Sequence, residues 1–227
     1  MGSVRVYEQN HHFDLPSGTQ IEVRQLVETD AYGTQVVKDS AYLKTYVGSG
    51  WLNLKESRDY LDPNNPYWVT IEADRIKKGR EELKAGDDRG LLLLGAFTVD
   101  TQVQIGVLRY DPLIETYALA GVTINEGYVA EVDVLSGWTG LGIGKAMFYV
   151  ALRHGLEIGH HIFGLDVVKL NTAALNFYKN CLDMQVMGDS EIMKDWPQTM
   201  NRSFVSGFVQ SSLTALENRN TWLVPRA

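Results

Sequence analysis

Gly140, Gly142 and Gly144 alternate in the stretch EVDVLSGWTGLGIGKAMFYVAL, between an apolar run that closes at Leu135 and a run of helical spacing at Ile143, Ala146, Met147 and Val150. Glycine lets a backbone approach a ligand closely, and the first N–H groups of a helix have no partner within the helix. A glycine loop opening onto a helix is therefore a seat for an anion, favoured further by the helix dipole. A phosphate or pyrophosphate is its natural guest, and Lys145 adds a positive charge. The plainer alternative is a tight turn that happens to need glycine. Upstream, Glu131 and Asp133 share one face if the strand carrying them is unbulged. Two carboxylates there can bind a cationic amine, and one can take its proton directly or through water. The alternative is a solvated strand face. Downstream, Asn171 is a good helix N-cap, and Tyr178 lies two turns further along the same face.

Other chemistries fit less well. A P-loop needs a glycine five residues before Gly144 and a Ser or Thr after the lysine, where this chain has Thr139 and Ala146. The dinucleotide fingerprint matches at Gly140 and Gly142, but its third glycine falls at Lys145. Asp166 ends the next strand as an acidic ribose ligand would, yet too little chain follows for the further βα repeats of that fold. Cys181 reads as a small buried hydrophobe. His11-His12 and His160-His161 are adjacent pairs rather than the i, i+4 spacing of a helical metal site, so no metal is expected. Glu126 is placed in a Gly-rich turn, a poorer base. Trp138, just before the glycines, is positioned to cover part of a ligand cleft.

The chain has 227 residues, 44% of them apolar and 22% charged, with 21 Gly, 6 Pro and one Cys. That composition belongs to a globular protein and excludes disordered, collagen-like and disulfide-rich classes. The net charge of −7 argues against nucleic acid and anionic membranes as partners. No run nears the roughly 20 apolar residues of a membrane span, and the first residues carry no signal-peptide core. A single Cys suits a reducing compartment, so the expected location is cytoplasmic.

The elements that must carry these residues follow from periodicity. Residues 1–18 read as an N-terminal extension ending in Pro16-Ser17-Gly18, and residues 19–227 as a single domain. Ile21 to Val27 reads as a strand, with Thr29 and Asp30 as cap candidates for a helical segment containing Val36, Val37, Ala41 and Leu43. A second short helix is expected over 55–61 and a strand over 67–73. The charged segment 74–90 reads as an inserted solvated loop or short helix. Residues 91–99 and 104–110 read as a hairpin across Asp100-Thr101-Gln102. A strand over 127–135, a helix from Ile143, a strand over 162–168, a helix over 172–181 and a strand-like tail complete the chain, with a C-terminal extension after about 195. The pattern is mixed α/β with one parallel crossover.

With its elements in this order the chain resembles the Gcn5-related N-acetyltransferases. That family carries Arg/Gln-x-x-Gly-x-Gly/Ala after its fourth strand and Asn-x-x-Ala-x-x-aromatic-Tyr shortly downstream. Here the loop reads TGLGIG, and the second motif matches at Asn171, Ala174, Phe177 and Tyr178. Residues 127–188 carry the resemblance strongly and residues 20–110 in outline. Thr139 stands where the family prefers Arg or Gln, which removes a charge-assisted contact. Leu182-Asp183-Met184 replaces the Gly-Phe that usually follows the tyrosine helix.

The resemblance implies a mixed, mostly antiparallel sheet splayed between its fourth and fifth strands and flanked by helices. It implies transfer of an acetyl group from acetyl-CoA, without metal, to an amine on a small molecule or a protein. Thr139, Gly140, Leu141, Gly142, Ile143, Gly144 and Lys145 would hold the pyrophosphate. Backbone N–H groups near Val134 would take the pantetheine arm and the thioester oxygen, and Asn171 would contact the cofactor or simply cap its helix. Tyr178 would protonate the leaving thiolate, and Glu131 or Asp133 would serve as base. The rival readings are a CoA-binding regulatory or interaction protein without turnover, and a nucleotide-binding oxidoreductase. A homodimer is left open.

Overall fold

In the computed structural model the described residues are 10–31, 33–38, 40, 77, 79–81, 83–84, 91–119, 122–169, 171–189 and 202–224. The helix expected over 55–61 and the strand expected over 67–73 lie outside them. Among the described residues eight strands, β1 (His11–Asp14), β2 (Gln20–Gln25), β3 (Leu92–Thr98), β4 (Gln104–Leu119), β5 (Val122–Val134), β6 (Ile162–Val168), β7 (Gln185–Asp189) and β8 (Arg202–Phe208), neighbour one another in the order β1-β2-β3-β4-β5-β6-β8-β7. Among the described residues the helices α1 (Ile143–Glu157), α2 (Thr172–Cys181) and α3 (Val209–Arg219) follow the central strands. This is the mixed α/β class expected from the sequence. No helix among the described residues is long and apolar enough to cross a membrane. The chain divides into two compact units, Met1–Val107 with Val132–Gly144, and Leu108–Glu131 with Lys145–Ala227.

In the first unit every residue of β3 is buried, as its run LLLGAFT demands. β2 pairs antiparallel along it from Ile21↔Thr98 to Gln25↔Leu94. Residues 11–14, expected within an extension, instead pair with β2 as a strand, because Phe13 and Leu15 find buried positions. Asp30 ends the short 3-10 turn Glu28–Asp30 and pairs with Arg24. It takes both Arg24 guanidinium nitrogens at 2.7 and 2.9 Å and the Val27 N–H at 2.8 Å, while Arg24 lies 3.9 Å over the Phe97 ring. Residues 33–38 are helical, and so are 79–81 and 83–84. Within the charged segment Leu83 is buried and Arg80 exposed, so the short-helix alternative holds where it is described. Leu26, Ala31, Val37, Leu83, Leu91, Leu93, Phe97 and Val107 form the core here, with Leu135 packed against it.

In the second unit β6 is the spine. It pairs with β8 along its whole length, from Ile162↔Phe208 to Val168↔Arg202. Its parallel pairing with β5 is much shorter, running only from Glu126↔Ile162 to Tyr128↔Gly164. Beyond Tyr128 the two strands part. Glu126 therefore sits inside β5, 8% exposed, and not in a turn. Gly127 beside it serves close packing rather than chain reversal. A Cβ on Gly127 would fall 2.6 Å from His160 Nδ1 and closer still to the Tyr110 hydroxyl. Phe148 of α1 packs against Phe163 of β6 and against Phe177 and Tyr178 of α2. The tail holds more structure than its sequence suggests. β8 inserts between β6 and β7, and α3 follows it at once, with the Ser212 hydroxyl donating to the Leu182 carbonyl.

Candidate active site

The glycine loop lies in the first unit. Leu135 ends the strand by donating its N–H to Ile105 O at 2.9 Å, and Trp138 N–H turns back to Leu135 O at 2.9 Å. Ser136 N–H donates to the Ser40 hydroxyl at 3.0 Å, which ties the loop's entry down. Gly137, Gly140 and Gly142 have φ of +91°, +85° and +101°, a region side chains with a Cβ rarely adopt. Nothing lies within 4 Å of where a Cβ on Gly140 would be, so the glycine serves backbone direction and leaves room beside it. Thr139 and Gly140 are exposed, Trp138, Leu141 and Gly142 half-buried, and Ile143 is buried as the first anchor of α1. No acidic residue stands in the first turn of α1 to repel an anion. A loop of this shape, open at Gly140 and leading into the first turn of α1, has the form of an anion seat.

Lys145, one residue on, belongs to the second unit and does not extend freely. Its Nζ donates to Asn220 Oδ1 at 2.8 Å, beyond the end of α3. Asn220 in turn donates to Leu216 O at 2.9 Å. Sequence reasoning missed this anchor, since Lys145 and Asn220 are 75 residues apart.

α2 is where expectation and structure coincide in detail. Asn171 is its N-cap and accepts the Ala174 N–H at 3.1 Å. Tyr178 is 9% exposed, with its ring edge-on to Phe148 and Phe177 at 5.9 and 5.5 Å. Its carbonyl receives the N–H groups of Leu182 and Met184, which closes the helix. Cys181 is half-buried at the helix end. Glu131 and Asp133 are half-buried on β5, and alternation along that strand puts them on one face. They are the last residue of the second unit's β5 segment and an early one of the first unit's.

A different polar pair, of which the sequence marked only Asp166, stands where β5 and β6 part. Tyr128 donates its hydroxyl to Asp166 Oδ2 at 2.6 Å. Burial, then the bond to Asp166, push the Tyr128 hydroxyl well above its usual pKa, against a smaller opposing pull from Arg202. The hydroxyl therefore stays protonated as a donor. Nearby, burial lowers His154 and His160 below the ordinary histidine value. No three His, Cys, Asp or Glu side chains among the described residues are grouped to hold a metal ion.

A sequence profile described as the acetyltransferase (GNAT) family matches residues 51–182. Curated proteins provide no match to the chain. Solved structures match it widely. The PaiA N-acetyltransferase of Thermoplasma acidophilum, in complex with coenzyme A, is 18% identical at a TM-score of 0.58, covering 83% of this chain and 98% of its own. The ribosomal-protein-S5-alanine acetyltransferase of Vibrio fischeri is 12% identical at 0.58, covering 90% and 99%. Apo FdhC, a nucleotide-linked sugar GNAT, is 11% identical at 0.61, covering 96% and 99%. At these identities the likeness is one of fold.

Proposed function

The chain belongs to the acetyltransferase (GNAT) family, and from that premise we propose that it moves the acetyl group of acetyl-CoA directly onto an amine. The observation that carries the reading is the parting of β5 from β6. Their register ends at Tyr128↔Gly164 while β5 continues to Val134, so the strand edge beyond Tyr128 has no ladder partner on the β6 side. Backbone N–H groups near Val134 are then available to a pantetheine arm and to a thioester oxygen, where they would stabilise developing negative charge.

Acetyl-CoA supplies an activated acyl carbon and a good leaving group. The amides of Gly140 to Gly144, with the Thr139 hydroxyl beside them, hold its pyrophosphate. Lys145 adds its positive charge to that seat while one of its three N–H donors holds Asn220. Asn171 spends its oxygen on the cap and keeps its amide NH₂ as a donor for the cofactor. Glu131 or Asp133 takes the proton of the amine, directly or through a water. The amine nitrogen bonds to the acyl carbon, the C–S bond breaks, and the Tyr178 hydroxyl gives the sulfur its proton. The carboxylate's proton then passes to solvent and back to Tyr178, so acetylated amine and free CoA thiol are the products. We read residues 19–227, with β1 joined to their sheet, as one acetyltransferase domain, and the lone Cys181 thiol suits a reducing, cytoplasmic setting.

The test is the chemical step in Tyr178→Phe. The ring contacts with Phe148 and Phe177 survive the change, so the rise in Tm on adding CoA should be unaltered. Acetyl transfer measured before the steady state should slow by roughly 10²-fold, the scale of a positioned acid. An undiminished step removes the general-acid role. If the unsubstituted protein binds CoA yet releases no thiol with a broad amine panel, the protein is a CoA-binding module without turnover.

A further inference from the structure

Two buried polar atoms on one face of the second unit have no partner. Asp166 Oδ1 and Arg202 Nε are shielded from solvent and make no hydrogen bond. Leaving such atoms unpaired costs stability, and folded proteins keep few of them. Their chemistry is complementary: the carboxylate oxygen needs a donor, and the guanidinium N–H needs an acceptor.

The strand register puts them together. Asp166 faces Phe204, and Val168 faces Arg202, so Asp166 and Arg202 are diagonal neighbours on the same side of the β6–β8 pair. Diagonal neighbours stand roughly 7–8 Å apart at the backbone, within reach of long side chains. They do not satisfy each other. Tyr128 faces Gly164, on that same side, and its bond to Asp166 Oδ2 fixes the carboxylate with Oδ1 turned elsewhere. Glu126, paired with Ile162, adds a second carboxylate to this face, and its Oε1 lies 3.1 Å from where a Cβ on Gly164 would be. The group sits at the last β5–β6 pair, where the strands diverge.

Resting on the acetyltransferase reading, we propose that Asp166 and Arg202 recognise the head of the acceptor. Asp166 Oδ1 accepts the amine's N–H, and Arg202 Nε donates to an oxygen carried close to that amine. The acceptor class is thus an amine with a neighbouring carbonyl or carboxylate, as in an amino acid or a peptide N-terminus, rather than a plain alkylamine or polyamine. Tyr128 is a positioning residue, acting through Asp166.

The experiment follows CoA-thiol release by the full chain at saturating acetyl-CoA. It uses glycinamide, glycine and propylamine, which separate a neutral carbonyl, a carboxylate and no oxygen. The unsubstituted protein should favour glycinamide or glycine over propylamine at least 10-fold in kcat/KM, and the better of the two tells peptide-like from free amino acid. Asp166→Asn keeps an oxygen for Tyr128 and the same volume but turns an NH₂ where Oδ1 was. It should raise the acceptor KM at least 10-fold while the acetyl-CoA KM stays put. Arg202→Gln should lower kcat/KM for glycinamide and glycine towards that for propylamine, erasing the preference for the oxygen-bearing amines. Tyr128→Phe should raise the acceptor KM less than Asp166→Asn does. An unchanged acceptor KM in folded Asp166→Asn overturns the proposal. So does an unsubstituted protein indifferent to the oxygen. Should the unsubstituted protein release no thiol with any amine, the acetyltransferase reading fails by itself. The site is then decided by Tm with CoA present: glycinamide should stabilise the unsubstituted protein and not Asp166→Asn, and no such difference overturns it.

Discussion

Gly140 in the loop and Gly127 in β5 are the same residue, needed for opposite reasons. Gly140 holds a φ of +85° with nothing within 4 Å of its missing side chain. Its requirement is written in the backbone, and the space beside it is open. Gly127 has no unusual φ, but a side chain there would collide with Tyr110 and with His160. Its requirement is written by two rings that arrive from β4 and from the end of α1. Gly164 is of the second kind, with Phe204 Cζ 2.6 Å from a would-be Cβ. A glycine that shapes a ligand seat and a glycine that lets a core close thus look identical in sequence and differ in everything that a substitution would do.

The sharpest way to break this contrast is Gly127→Ala. Both facing rings belong to buried residues, Tyr110 fully so. Thermal and urea unfolding should show a loss of about 3 kcal/mol, the upper range for overpacking. Adding Tyr110→Phe should return part of it, because the hydroxyl is the nearest obstacle. A Gly127→Ala protein of unchanged Tm would place the two glycines in one class. Gly142→Val comes next. A β-branched residue at φ +101° costs roughly 1–3 kcal/mol of strain, and its methyls intrude on the anion seat. CoA affinity, by titration calorimetry, should fall by about 30-fold or more in a protein that remains folded.

Gly140→Ala should be milder. A left-handed Ala costs roughly 1–2 kcal/mol, partly offset by the lower entropy of the unfolded chain, so a loss of about 1 kcal/mol is expected with CoA still bound. Thr139→Arg should work in the other direction, tightening CoA by about 1 kcal/mol, or roughly 5-fold, through a charge-assisted bond to the pyrophosphate. Weaker binding would show that Thr139 has a contact of its own to lose.

The smallest effect concerns pH. Burial holds His154 and His160 below their ordinary value of 6.5, so the folded chain binds fewer protons than the unfolded chain just below that pH. Stability is complete above 6.5 and is lost as pH falls from there through the depressed values. The Tm should drop between pH 7.5 and 5.5, and less steeply in His160→Gln. An equal slope in the variant would clear His160 of any share.

Much of the loop and of α2 was readable from the chain alone. Gly140, Gly142 and the apolar spacing from Ile143 specify a turn into a helix over a dozen consecutive residues, and Asn171 marks a helix start that its own side chain makes by capping Ala174. Such features depend on local dihedrals and near-neighbour hydrogen bonds, which amino-acid type and spacing encode. The hairpin across Asp100-Thr101-Gln102 is legible for the same reason, with Gln102 taking the positive φ of 53° that its tight turn requires.

What tertiary structure alone decided is every relation between distant segments. It made residues 11–14 a strand, pairing them with β2 and burying Phe13 and Leu15. It inserted β8 between β6 and β7 and turned Lys145 toward Asn220. It moved Glu126 from a supposed turn into a paired strand. It also assembled Tyr128, Asp166 and Arg202 from three strands, leaving one oxygen and one N–H unanswered. Strand order and register depend on which edges and faces meet after the chain has collapsed. Period-two alternation says which residues share a face but not which strand will lie alongside.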